Sequence, residues 1–418
     1  MNALKSGTVL FLATLAGSVA NCIFQAVMSR SLSMGDFGSL NALFSIIFIA
    51  GVPAAATMPA LSKEVFSLAS SGRAWAIPSL YRRSLLHMAL FGGALFVLLT
   101  ILRKPVSEFL GFGSDWLVSM TGAGLFFAFV LSVNLGLLQG LRRSSYFGAG
   151  MGFLSPLRLL AGAALVASGY GLAGAVAGLV LSVAFVFLLT TLPLLTYLFR
   201  AGDSAPSAAI YICSPAALAY ALLFAVLTNI DLLMVKHYFP AEEAGLYAAA
   251  SILGKTVLFL LYYMTQSLFP SSMEPGPGGV EAVKLLDRGL GFVLATALIC
   301  LPVLVLFPAH VLAFLFGEPF AQAAPVLKLY ALAAALMSAV SVFSGFSLAR
   351  RRGFIFPLAA ACVLLPFLLS RFHGSMTEAV MAAGGVDLAL VLIGLFGAMR
   401  ERRSFVPAQA KLEGIAGR

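Results

Sequence analysis

Apolar residues run along this chain in blocks of about twenty, separated by short polar breaks. The blocks lie near 8–29, 40–61, 85–102, 116–139, 146–167, 171–198, 213–236, 246–269, 289–309, 324–348, 353–370 and 377–399. Stretches of roughly 18 apolar residues or more are long enough to cross a bilayer as helices. The pattern therefore predicts an all-α integral membrane protein with twelve transmembrane helices. Pro53 and Pro59 interrupt the second block, and kinks are expected there because proline removes a helical donor. No polar break is long enough for a soluble domain, and the segment after Arg403 reads as a flexible tail.

Composition strengthens this picture. Hydrophobic residues make up 61% of the 418 and charged ones 10%, where soluble domains carry about a quarter charged. The net charge of +10 does not imply a nucleic-acid partner. The basic residues sit in small clusters between apolar blocks, as in cytoplasmic loops that face anionic lipid. With the N-terminus inside, eighteen of the 26 Lys and Arg fall in inside segments and six outside, while Arg158 and Lys255 lie within spans. Both termini are thus expected in the cytoplasm. Lys5, an apolar run and Ser18-Val19-Ala20 resemble a signal peptide, but apolar character continues to Met28, so this is read as the first span. Cys22, Cys213, Cys300 and Cys362 show no disulfide or metal spacing, so no metal is expected. The chain has no GxxxxGK[ST] loop and no D-x-D pair, and an enzyme is not expected.

The blocks also repeat. Matching Gly38 to Gly245 lays MSRSLSMGDFGSLNAL over VKHYFPAEEAGLYAAA, and nearly the same offset lays QGLRR (139–143) over SLARR (347–351). This favours two six-helix halves in parallel orientation, 1–200 and 201–403, with 404–418 as a cytoplasmic tail. Transporters built from such repeats hold substrate between the halves and work by alternating access.

At this point the residues resemble a family. SGTVLFLATLAGSVANCIFQAVMSRSLSMGDFGSLNAL (6–43) is similar to the opening of bacterial polysaccharide-unit flippases of the O-antigen type. NIDLLMVKHYFPAEEAGLYAAASILGK, followed by SLFPSS at 267–272, resembles the start of their second half. These belong to the multidrug/oligosaccharidyl-lipid/polysaccharide exporter superfamily. The resemblance implies a V-shaped bundle in the bacterial inner membrane with a cationic central cavity. It further implies flipping of polyprenyl-pyrophosphate-linked oligosaccharide to the outer leaflet, for surface polysaccharide or lipopolysaccharide, with a polysaccharide polymerase as protein partner. The lipid-II flippases of the superfamily carry more arginines in their first helices, whereas the first span here offers only Arg30.

Polar residues at helical spacing mark candidate lining positions. Thr14, Ser18, Asn21 and Gln25 share one face of the first span, and Tyr247, Ser251, Lys255, Tyr262 and Gln266 do much the same in the eighth. Arg158, which follows Pro156, and Lys255 are the expected phosphate contacts, with Asn21, Gln25, Ser251 and Tyr262 completing the substrate-binding set. A structural role for Arg158, bonded to Asp387 or a helix carbonyl, is the competing reading. Asp231 and Asp387 are assigned to charge pairing or to proton or sodium coupling, and no other cofactor is expected. Asp231 and Lys255 differ in depth by only about 6 Å at 1.5 Å per residue, within reach of each other if their helices touch. His87 and His237 are read as surface residues, and GLAGAVAG (171–178) as a close-packing stripe. Two alternatives remain: a cation-coupled multidrug exporter of the same superfamily, and a membrane enzyme of glycan assembly. The second lacks catalytic carboxylates or a histidine near the interface.

Overall fold

The computed structural model describes residues 2–200, 215–268, 279–349 and 353–416, with side chains undescribed at 2–15, 257, 259–268, 279–283, 349 and 401–416. Cys213, part of SLFPSS and Arg350–Arg352 lie outside the described residues, as do the side chains of Thr14, Tyr262 and Gln266.

Among the described residues there is no strand, and the chain is helical nearly throughout. Backbone contacts divide it into two compact units, Met1–Leu218 and Ala219–Arg418. The helices are α1 (Asn2–Ser31), α2 (Met34–Ala50), α3 (Val52–Ser70), α4 (Ile77–Ile101), α5 (Arg103–Leu110) and α6 (Trp116–Gly140). They continue with α7 (Ser144–Leu165), α8 (Gly171–Thr191), α9 (Leu195–Phe199), α10 (Pro215–Leu227), α11 (Ile230–Tyr238) and α12 (Ala241–Leu268). The last are α13 (Gly279–Leu306), α14 (Pro308–Phe316), α15 (Ala324–Ala349), α16 (Ile355–Arg371) and α17 (Met376–Ala416). Seven described helical stretches are long and apolar enough to cross a membrane, eight if α2 and α3 form one bent span. The chain is a multi-pass membrane protein.

Two expectations change. The second block bends at one of its prolines and not the other: α2 and α3 meet at 45° at Gly51, two residues before Pro53. Pro53 sits in the first turn of α3, where a missing N–H leaves nothing unpaired, and Pro59 is accommodated within the helix. The segment after Arg403 is a continuation of α17 to Ala416.

The two units repeat one pattern of neighbours. In the first, α6 packs against α3, α4 and α8, and α7 packs against α1 and α8. In the second, α15 packs against α12, α13 and α17, and α16 against α11 and α17. Each also carries a short helix at the matching point, α5 before α6 and α14 before α15. Gly38 and Gly245 are each the fifth residue of their helix, α2 and α12.

Close packing explains part of GLAGAVAG. A Cβ added at Gly178 would lie 2.4 Å from the Gly162 nitrogen, so α7 and α8 touch backbone to backbone. Gly174 is similarly pressed against Leu165. Gly171 has another role: with φ of 49° it turns the chain into α8 and meets nothing nearby. Elsewhere in the unit, buried Tyr81 donates to Asn134 at 2.8 Å, and Asn134 donates to Thr191 at 2.8 Å. These bonds tie α4, α6 and α8 together without leaving Asn134 unpaired.

Candidate functional site

The cluster in the first unit is built around Arg158 on α7. Its guanidinium lies over the Phe24 ring at 4.8 Å and the Phe44 ring at 5.5 Å, both within the roughly 6 Å at which a ring face attracts a cation. Phe24 and Phe44 are buried and stand 6.1 Å apart, one on α1 and one on α2. Among the described residues Arg158 donates to the Asn21 side chain, not to a helix carbonyl, and its Nε has no partner. No carboxylate pairs with it among the described residues. Gln25, buried on α1, instead donates to Asn41 on α2 at 3.2 Å, and Asn41 donates to the Phe37 carbonyl at 2.9 Å. Gln25 thus holds α1 to α2, with its Oε1 unpartnered among the described residues.

The cluster in the second unit begins with a helix break. Thr228 donates back to the Phe224 carbonyl at 2.8 Å and Asn229 to the Ala225 carbonyl at 2.9 Å. Such side chains compete with the backbone ladder, and α10 ends there. Asp231 then falls in the first turn of α11, where the helix dipole favours a carboxylate. Tyr247, Ser251 and Lys255 recur every fourth residue on α12 and so share a face. Asp231 Oδ2 accepts from Tyr330 at 2.6 Å and from Tyr247 at 3.1 Å. Ser251 donates to the Tyr330 hydroxyl at 3.1 Å. Lys255 Nζ stands 3.7 Å from Asp231 Oδ1, an ion pair too long for a direct hydrogen bond.

Gly254 makes this geometry possible. A Cβ there would lie 2.3 Å from the Tyr330 ring, so only a bare backbone lets the ring seat against α12 and reach Asp231. Asp387 on α17, 7% exposed, lines the same cavity of about 30 Å³ together with Thr228, Asp231, Lys255 and Tyr330. No metal-holding group of His, Cys, Asp and Glu occurs among the described residues.

Of the residues singled out in the sequence, the structure brings together Arg158 with Asn21, and Asp231 with Lys255, Ser251 and Asp387. Gln25 is placed apart from Arg158's bonds, and Tyr262 cannot be assigned a contact because its side chain is outside the described set. Sequence reasoning missed Tyr330 and the two rings beneath Arg158. One signal was available: matching Gly38 to Gly245 sets Asn21 on Thr228, Phe24 on Asp231, Phe44 on Ser251 and Phe48 on Lys255. Both clusters occupy the same register, one built around a cation and the other around acids.

No protein-family model matches the sequence, and no curated protein matches it. Solved structures do. An inward-facing multidrug resistance MATE family transporter of the MOP superfamily superposes with a TM-score of 0.74 at 13% identity, covering 95% of this chain and 99% of that one. The lipid II flippase MurJ in an inward closed conformation gives 0.65 at 12% identity, over 94% of this chain and 87% of that one. A MOP superfamily transporter from Pyrococcus furiosus, described as having a binding pocket of reverse polarity, gives 0.64 at 15%, over 95% and 96%. The chain has the fold of the MOP superfamily transporters.

Proposed function

We propose that this chain is a secondary transporter that flips an anionic, polyprenyl-pyrophosphate-linked oligosaccharide from the cytoplasmic to the outer leaflet by alternating access. The observation that carries this reading is Arg158: a cation in a membrane-crossing helix, cradled by two rings and one amide, with a free Nε and no carboxylate partner among the described residues. An arginine in hydrocarbon costs about 2.5–3.5 kcal/mol on insertion scales, and that cost is tolerated where an anion uses the charge. A guanidinium fits phosphate oxygens through two parallel hydrogen bonds. Asn21 holds Arg158 from α1 within the first unit, while in the second unit Lys255 acts through its pair with Asp231. Asp231 and Asp387 provide charge pairing and ion coupling.

In this reading the protein resides in the bacterial inner membrane as twelve spans in two six-helix halves, with both termini cytoplasmic. A polysaccharide polymerase consumes the flipped unit. The test is surface-glycan output from a deletion strain complemented with each variant at matched membrane levels. Arg158→Ala and Lys255→Ala are expected to abolish it, and normal output from both would overturn the assignment.

A second reading, a cation-coupled multidrug exporter, is favoured by the likeness to the MATE transporter and by the buried carboxylates of the second unit. Loss of drug resistance on deletion, with surface glycan unchanged, is the result it expects.

A further inference from the structure

The charges around the cavity of the second unit do not balance. Asp231 on α11 and Asp387 on α17 supply two carboxylates, Lys255 on α12 one ammonium, and Tyr330 on α15 a neutral hydroxyl. Leu227 on α10 and Leu365 on α16 add no charge, and Tyr247 on α12 reaches Asp231 from beside the lining. With every group ionised, one negative charge would stand uncompensated in a buried site, which is strongly disfavoured unless a cation joins it.

Hydrogen bonding is incomplete in the same sense. Asp231 Oδ1 has no hydrogen bond among the described residues. Lys255 Nζ makes none, and Asp387 makes none, among the described residues, although both are more than nine-tenths buried and line the cavity. The open volume, about 30 Å³, suits about one water molecule.

The missing positive charge is either a metal ion or a proton. An ion bridging the two carboxylates would share this small space with Lys255 Nζ, already 3.7 Å from Asp231 Oδ1. Like charges so close repel strongly where effective dielectric is low. A proton needs no such room.

We propose that Lys255 is a tethered counter-ion standing where an exchangeable metal ion would bind, so that this cavity exchanges one proton and no sodium. Asp231 remains the anion, because two tyrosine hydroxyls and the ammonium hold its charge. Asp387, with no donor to hold it, takes the proton onto a carboxylate oxygen from water on one side and returns it to water on the other. The inference rests on the transporter reading above and identifies its coupling ion.

The test uses the purified full-length chain in lipid nanodiscs and radioactive sodium as the probe. Wild type is expected to show no saturable sodium binding, Lys255→Ala to gain it, and Lys255→Ala combined with Asp387→Asn to lose it again. Lys255→Gln, which keeps most of the side-chain volume, serves if the alanine variant does not fold. Infrared difference spectra after a pH step should show a protonated carboxyl band in wild type that is absent in Asp387→Asn. Saturable sodium binding by wild type would overturn the proposal, as would its absence in a folded Lys255 variant or an unchanged carboxyl band in Asp387→Asn. None of these readouts requires a transported substrate. Their failure with normal glycan dependence on Arg158 removes the coupling assignment alone, whereas loss of that dependence removes the flippase reading.

Discussion

Tyr330 donates to Asp231 at 2.6 Å because Gly254 leaves room for its ring, and this dependence can be tested at single positions. Gly254→Ala forces the ring away and is expected to lower stability by about 1–3 kcal/mol, as overpacking does. Tyr330→Phe removes two hydrogen bonds, to Asp231 and from Ser251, and should lower it by about 1–2 kcal/mol, each bond within a membrane protein being worth about 0.6–1 kcal/mol. Thermal unfolding of the purified variants checks both, and a Gly254→Ala protein as stable as wild type would contradict the packing. At Arg158 the expectation is that lysine does not substitute. An ammonium can neither lie flat across Phe24 and Phe44 nor make paired bonds to phosphate, so Arg158→Lys should lose most glycan output at equal expression. Asp231, Lys255 and Arg158 were legible in the sequence because a charge in an apolar block stands out. Tyr330, Phe24 and Phe44 were not, because tyrosine and phenylalanine within spans are ordinary packing residues. Their roles depend on which other helix faces them.

At the level of helices, the backbone contact between α7 and α8 positions Arg158, since α7 carries it. Gly178→Leu is expected to separate the pair, lowering stability by about 1–3 kcal/mol, together with loss of glycan output even though the variant touches none of the candidate site residues. Unchanged thermal unfolding would contradict the close approach. The pattern of apolar blocks located most helices to within a few residues, because hydrocarbon demands long apolar runs. Pro53 marked one interruption to within two residues, and the pattern marked no other. The bend at Gly51 and the end of α10 at Thr228 and Asn229 arise from local bonding and first-turn geometry, which leave the average hydrophobicity unchanged. α5 and α14 were invisible for a different reason: each is too short to register as a block.

For the whole molecule, the shared neighbour pattern of the two units and the shared register of their clusters agree with a duplicated plan in which one buried cluster is built around a cation and the other around carboxylates. The basic-residue bias predicts that cysteines introduced at Lys63 and Arg143 are shielded from a membrane-impermeant reagent in intact cells, while one at Lys104 is labelled. Labelling of all three, or the reverse order, would contradict the expected orientation. Fold was readable from the sequence because the bilayer restricts the options. Substrate is less so, since similar folds serve a MATE transporter and a lipid II flippase. The most direct test of the central claim is reconstitution of the purified chain in liposomes with a fluorescent polyprenyl-pyrophosphate oligosaccharide, followed by its appearance in the opposite leaflet. Wild type should accelerate translocation and Arg158→Ala should not. Equal rates for wild type, Arg158→Ala and protein-free liposomes would contradict the claim.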